Sequence, residues 1–216
     1  MNKQRIFSPV IRSIAATLLL SLLLAFAAFA PAGLLPPVHY TITDQSSLYL
    51  KGSSNVNRFT CASVQTFAPA TVEMTPLGDG CSVAFSKAVM DLRVTRMDCG
   101  NKGINRDMQK ALKADQYPDI RLKLERAVVS NTSAVIDSHR WTPVTASTLV
   151  TIAGVTKPVK IRLEAKALTA NRFQFVGSRD LLMSDFGVDP PSAMMGLVQV
   201  HDAITIHFDL IIEKGS

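Results

Sequence analysis

The sequence predicts an all-β fold: about eight antiparallel strands, closed into a barrel or stacked as a sandwich, with one short amphipathic helix. Three observations carry this. Apolar and polar residues alternate with a period of two in segment after segment. The polar partners are Thr, Lys, Arg, Glu and His, which suits strands with one wet face; parallel strands buried on both faces read as unbroken apolar runs. Only one stretch, Lys102 to Ala114, has a helical period.

Residues 1–30 read as a secretory signal peptide rather than as part of the fold. Lys3, Arg5 and Arg12 make a positive start, and an apolar run follows from Ile14 to Ala30. Small residues in Ala-x-Ala spacing then set a cleavage window between about 27 and 32, with the bonds after Ala27 and Ala32 favoured over a cut before Pro31. The alternative is an uncleaved anchor, because the run is at the lower limit for crossing a hydrocarbon core of roughly 30 Å. Without the leader, Lys and Arg fall from 23 to 20 against 17 Asp and Glu, so the net charge is near +3. No Lys/Arg block and no basic stripe with aromatics is present, which argues against nucleic acid as a partner. Residues 31–216 then suit one domain with a substantial core.

The strands follow in order. Val38, Tyr40 and Ile42 alternate with His39, Thr41 and Thr43. Leu48 to Lys51, Asn57 to Val64 and Thr71 to Met74 are shorter candidates, and Ser82 to Met97 is long enough that it must bend or break. In the helical stretch Ile104, Met108 and Leu112 share a face with Ala111, while Arg106, Asp107, Gln109, Lys110 and Lys113 cover the other side. Asn101 or Asn105 can cap its start, and Pro118 stops any continuation. Ile120, Leu122 and Leu124 begin the next strand; Ser130 to Trp141 reads as a polar surface segment. Thr145 to Ala153 is β-branched and apolar on both faces. The segment Gly154-Val155-Thr156-Lys157-Pro158 reads as a tight turn into Val159 to Lys166. Phe173 and Phe175 flank Gln174, and the clearest alternation of all, Ala203 to Glu213, closes the chain. The edge problem of an open sheet favours closure, but periodicity alone leaves barrel and sandwich both open.

Chemistry is sparse. Of the four histidines, His201 and His207 lie on one face of an extended strand but roughly 20 Å apart, too far for one metal. Asp185, Asp189 and Asp202 read as loop caps rather than an acid/base pair. Gly-x-Ser-x-Gly, His-Glu-x-x-His, Cys-x-x-Cys and a phosphate-cradling Gly-rich loop are all missing, so the residues point to no enzyme, no metal and no cofactor. Three cysteines, Cys61, Cys81 and Cys99, suggest one bridge and one further thiol after export, with all three pairings open.

Five pieces then occur in a familiar order. They are Gly52 to Phe59, Asn105 to Ile120 with its Tyr117-Pro118 turn, Leu149 to Lys157, Asp185 to Val188, and the closing strand Asp202 to Leu210. Together they resemble the YceI-like family, over nearly the whole stretch from Val38 to Glu213. The resemblance implies an exported, lipocalin-like antiparallel eight-stranded β-barrel with a helix over one side. It also implies an apolar cavity for a polyisoprenoid, such as a quinone or prenyl tail, or another amphiphilic lipid. Localisation would be periplasmic or secreted after cleavage of the leader. Apart from the resemblance, an apolar-lipid partner is compatible with transient contact with a membrane surface and with either a monomer or a homodimer. Phe59-Thr60-Cys61 and Asp98-Cys99-Gly100 look like a cysteine-bearing branch, which implies a Cys61–Cys99 bridge and leaves Cys81 without a role. One departure is that Met108 and Leu112 stand where many members carry a Phe pair before the Tyr-Pro turn.

A polyprenyl tail offers no charge, so its affinity must come from burial at roughly 25 cal/mol per Å². Methionine suits such walls because it is flexible and polarizable. The lipid-binding candidates are Phe59, Met90, Leu92, Met108, Leu112, Leu122, Phe175, Phe186, Met194, Met195, Ile204 and Ile206. Strand-borne apolar residues fill cores by default, so the competing expectation is a plugged barrel that serves as a structural or interaction module. Asn105, Arg106 and Lys157 are the polar candidates for a head group, and the loop Ser192 to Leu197 is expected near a barrel mouth.

Overall fold

The computed structural model describes residues 37–130 and 136–215. The signal-peptide reading of 1–30, its cleavage window and residues 131–135 of the expected polar surface segment lie outside the described residues. In chain order the elements are β1 (Val38–Ile42), β2 (Ser47–Ser53), β3 (Arg58–Ser63), β4 (Ala70–Pro76), β5 (Ser82–Ser86), β6 (Val89–Arg93) and β7 (Met97–Asp98). Helix α1 (Lys102–Ala111) follows, then β8 (Asp119–Val129), β9 (Thr142–Ile152), β10 (Val155–Thr169) and β11 (Arg172–Leu182). A short hairpin of β12 (Ser192–Ala193) and β13 (Val198–Gln199) precedes β14 (Ala203–Lys214).

Strands β1, β4, β5, β8, β9, β10, β11 and β14 are neighbours in that order, and β14 pairs back onto β1, so eight strands close a ring. Every pairing is antiparallel. Period-two alternation sets inside from outside: in β9 Thr142, Val144, Ala146, Thr148, Val150 and Ile152 are buried, and the residues between them are not. Near the helix the ring is rebuilt from other pieces, because β14 pairs β2, β2 pairs β3, β3 pairs β7 and β6 pairs β8. Hence β1 with β2, β3 with β4, and β5 through β7 are three bent paths. The expected break in Ser82 to Met97 falls at Lys87, whose φ is +63°, and again at a 3-10 turn over Val94–Arg96.

Two buried clusters sit at opposite ends of the strands. Val129, Val144 and Ala165, with Phe175, Leu163 and Ile136 against them, fill one end. Val150, Ile152, Val159, Leu181, Phe186 and Val188 form the other, with Ala111 of α1 and Leu112 just past it packed on it. At this second end the β10–β11 ladder is short: it runs only from Leu163 opposite Gly177 to Thr169 opposite Arg172. Pro158, which has no N–H to give, lies in the part of β10 beyond that ladder. Phe186, on a 3-10 turn after β11, is buried there.

Two sequence expectations need correction. The tight turn is not Gly154 to Pro158 but Ala153-Gly154 alone, with Val155 already opposite Ile152. Both turn residues have positive φ, +48° and +83°, the two-residue turn whose twist matches antiparallel strands. Gly154 is required there twice over, since a Cβ would stand 2.6 Å from the Tyr117 ring. Second, α1 ends at Ala111 rather than Ala114, because Lys113 turns to φ +51° and carries the chain into the Tyr117-Pro118 turn. Of the two candidate caps it is Asn101 whose side chain accepts from the N–H groups of Gly103 and Ile104.

Cys61 and Cys99 form a disulfide that ties β3 to the segment leading into α1. The ladder there is only two pairs long, Ala62 opposite Asp98 and Ser63 opposite Met97, so the covalent link is the main restraint. Asn105 extends it: its Oδ1 accepts from the Cys99 N–H at 2.7 Å and its Nδ2 donates to Asp98 at 3.0 Å. In the chain-entropy picture, a bridge across 38 residues constrains the unfolded chain by roughly 4 kcal/mol. Cys61→Ser with Cys99→Ser should therefore lower unfolding free energy by about 2–4 kcal/mol, read from the denaturation midpoint under oxidising conditions. A double variant as stable as the parent would show that the bridge constrains nothing.

Several carboxylates are held below their ordinary range by donors. The Ser82 hydroxyl acts on Asp79, the Arg121 guanidinium on Asp91, the Asn105 amide on Asp98 and the Ser184 hydroxyl on Asp202. A depressed folded-state value means the stabilisation is complete above the unfolded carboxylate value of about 3.9 and is lost as pH falls through the lower folded value. Tm should thus hold steady down to about pH 5 and fall below about pH 4. A Tm that climbs between those two points would contradict the assignment.

Candidate functional site

A cavity of about 270 Å³ opens at the helix end of the barrel. Its floor and walls come from the inward faces of strands: Leu50 of β2, Phe59 and Cys61 of β3, Ile120 of β8, Ile152 of β9, and Ile204 and Ile206 of β14. Helix α1 forms one side with Ile104, Met108, Ala111 and Leu112, spaced as one face of a 3.6-residue period requires. The segment after β11 supplies Met183, Phe186 and Val188, and the rim is made by Val56, Pro191, Val198 and Val200. Gly52 makes room for Phe59 across the β2–β3 pair: a Cβ at Gly52 would stand 2.4 Å from the ring's outer end, so the aromatic can lie over that backbone only because no side chain is there.

Polar groups are few and lie toward the rim. Ser54 Oγ donates to Asn57 Oδ1 at 2.9 Å, so the β2–β3 turn satisfies itself. Asp107 is the one ionisable lining residue among the described residues. A surface of this kind can sequester hydrocarbon. Among the described residues no group of three His, Cys, Asp or Glu could hold a metal ion. Three of the four histidines have other side-chain partners: His39 Nδ1 is 3.0 Å from Thr71 Oγ1, His201 Nδ1 is 3.0 Å from Ser53 Oγ, and His207 stacks on Tyr49. Asp202 accepts from the Ser184 N–H at 2.8 Å, a loop cap.

The lipid-contact candidates divide into two groups. Phe59, Met108, Leu112, Phe186, Ile204 and Ile206 converge on the cavity. Leu122 packs on the core beneath it, and Met90 and Leu92 stand opposite Leu122 and Ile120 in the β6–β8 ladder without lining it. Phe175 belongs to the packed cluster at the other end. Met195 is fully exposed, on backbone at φ +56°, and points away from the wall; the side chain of Met194 lies outside the described residues. Of the head-group candidates, Asn105 is committed to Cys99 and Asp98, and Arg106 is exposed and off the lining. Lys157 lines a second hollow, with Arg179, Asp180 and Asp185, which shares only Leu182 and Phe186 with the first.

Sequence reasoning missed Leu50, Ile152, Val188, Val198 and Val200 as lining residues. Leu50 and Ile152 alternate in their strands as core residues do, and nothing local separates a wall from a packed core. Val188, Val198 and Val200 sit in segments without long strand patterns, so only the fold brings them to the rim.

The comparisons agree with this geometry. The YceI-like domain family matches residues 42–212 of the chain. A polyisoprenoid binding domain from Saccharophagus degradans superposes with a TM-score of 0.58 at 14% identity, covering 82% of this chain and 98% of that one. BcnA of Burkholderia cenocepacia does so with a TM-score of 0.55 at 16% identity, covering 77% and 96%. No curated protein matches the chain in sequence. At such identities the solved structures speak for the fold, while the family match spans most of the described barrel: the chain belongs to the YceI-like family.

Proposed function

We propose that this protein is an exported binding protein that holds the tail of a polyisoprenoid, or of a similar long apolar lipid, in the cavity beneath α1. The observation that carries the reading is the hollow itself: an apolar cavity of about 270 Å³ with a single ionisable lining residue among the described residues, at one end of a barrel packed at the other. The likeness to a polyisoprenoid binding domain and the Cys61–Cys99 bridge, a feature of oxidising compartments, support it. The volume is near the lower bound of roughly 300–1,000 Å³ for ligand sites. A long tail therefore needs more room than the cavity offers at rest. Helix α1, none of whose residues is buried, is the wall that can yield, and the methionines Met108 and Met183 can repack around a branched chain. No covalent step is part of this function; the tail is inside and the head group stays at the rim.

Two experiments test it. Native mass spectrometry of protein purified from a quinone-producing host should show a lipid adduct; repeated recovery of bare protein would sink the proposal. Met108→Trp should fill the cavity and weaken binding of a fluorescent prenyl probe by about tenfold, with Tm unchanged or raised. Phe175→Ala should do the reverse, costing roughly 3 kcal/mol of folding stability while leaving probe affinity within twofold, because it removes packing at the opposite end. Equal probe affinity in Met108→Trp, or a large loss in Phe175→Ala, would place the ligand elsewhere.

A further inference from the structure

We propose that the rim of the cavity is a docking surface for an anionic lipid bilayer, so that a tail passes into the barrel directly from the membrane. The inference rests on the lipid-holding reading above, but its test is separate.

Two observations carry it. The first is a built apolar tip. Val56, Leu197 and Met195 leave 64%, 70% and 103% of their surfaces exposed, among the largest exposures of any bulky apolar side chain described. They belong to two segments far apart in sequence, the β2–β3 turn and the β12–β13 hairpin, which are clipped together. Asn55 Nδ2 donates to the Leu197 carbonyl at 2.9 Å, the Gln199 N–H donates to Asn55 Oδ1 at 2.9 Å, and the Asn55 N–H donates to the Gln199 carbonyl at 3.1 Å. Ser54 and Val200 add a β-bridge. The exposed side chains are thus held on one scaffold, and that scaffold is the cavity's own rim, since Val56, Val198 and Val200 line it. Packing of the core does not require such a cluster in water.

The second is charge. Helix α1 gives one face to the cavity and leaves Lys102, Arg106 and Lys110 exposed on the other; Lys113 is exposed just past its end, and Arg58 just after the β2–β3 turn. The acids in the same stretches are Asp98 and Asp115, both exposed, and the half-buried Asp107, so five cations face three acids on the helix side of the mouth; the exposed Asp185 and Asp189 lie on the segment that carries Phe186 and Val188. Apolar side chains flanked by Lys and Arg are the composition that seats a surface in the headgroup region of an anionic leaflet. An aqueous small molecule would need neither part, and both parts adjoin elements that line the lipid cavity.

The test is flotation of the full mature protein with vesicles of phosphatidylethanolamine and phosphatidylglycerol, against vesicles of phosphatidylcholine alone. The wild type should float with the anionic vesicles and come off as salt rises. Met195→Asp with Leu197→Asp should cut binding about tenfold; aspartate is tolerated at the left-handed backbone of residue 195. Arg106→Glu with Lys110→Glu should cut it at least as much, at roughly fivefold per cation lost, and flatten the salt dependence. None of these four side chains lines the cavity, so both variants should still take up a prenyl probe from detergent micelles with the parent affinity. Failure of every form to take up probe would strike the lipid-holding reading instead. A wild type that stays behind, or a Met195→Asp/Leu197→Asp variant that floats like the parent, would overturn the docking proposal. So would a dimer that this variant breaks apart without any flotation, which would assign the rim to a second copy of the chain.

Discussion

Pairing of β14 with both β1 and β2 is the contact on which the molecule turns. The first half of β14 holds the helix end and the last few residues hold the far end, so one strand joins the ring along its whole length. Closure removes the free edges that an open sheet of this size would expose, and it forces every strand to show alternate residues to a common interior. Once the ring is closed, register decides what the interior is made of. A slip of one residue in β14 would send Ile204, Ile206, Phe208 and Leu210 outward and bring Thr205, His207 and Asp209 in.

The interior is not uniform along its length, and that difference separates stability from function. At one end facing strands are close enough for Val144, Ala165 and Phe175 to meet, and the space is filled. At the other end β3, β7 and α1 are interposed, the β10–β11 ladder stops short, and the walls stand too far apart for their side chains to meet in the middle. The hollow is thus a product of strand bending: β2, β3 and β7 swing away from the path of β1, β4 and β5. The disulfide fixes the most weakly paired part of this swing, and Asn105 carries the restraint into the helix. A wall that is covalently anchored at its base and only half-buried along its length can shift without losing its place.

Much of this architecture is legible along the chain. The alternation in Ala203 to Glu213 and in Val159 to Lys166, the single amphipathic stretch around Met108, and the break at Pro118 are local signals with local causes. The errors were local too. Val155 to Pro158 reads as a turn because Gly, Thr and Pro crowd there, yet Val155 to Pro158 is strand, because β9 supplies a partner for each of them. Pro158 is admitted only because β11 does not pair at that level.

What the sequence determined by itself is the set of faces: which side chains of each strand point the same way, where the helix lies, and that no motif for bond-making chemistry is present. What the tertiary structure decided is which of those faces meet. Met90 and Met108 are alike in residue type and in the apolar face each occupies, yet of the two only Met108 lines this cavity. The reason is geometric: periodicity reports the direction of a side chain, whereas a cavity depends on the distance to whatever stands opposite, and that distance is set by strand pairing across the closed ring.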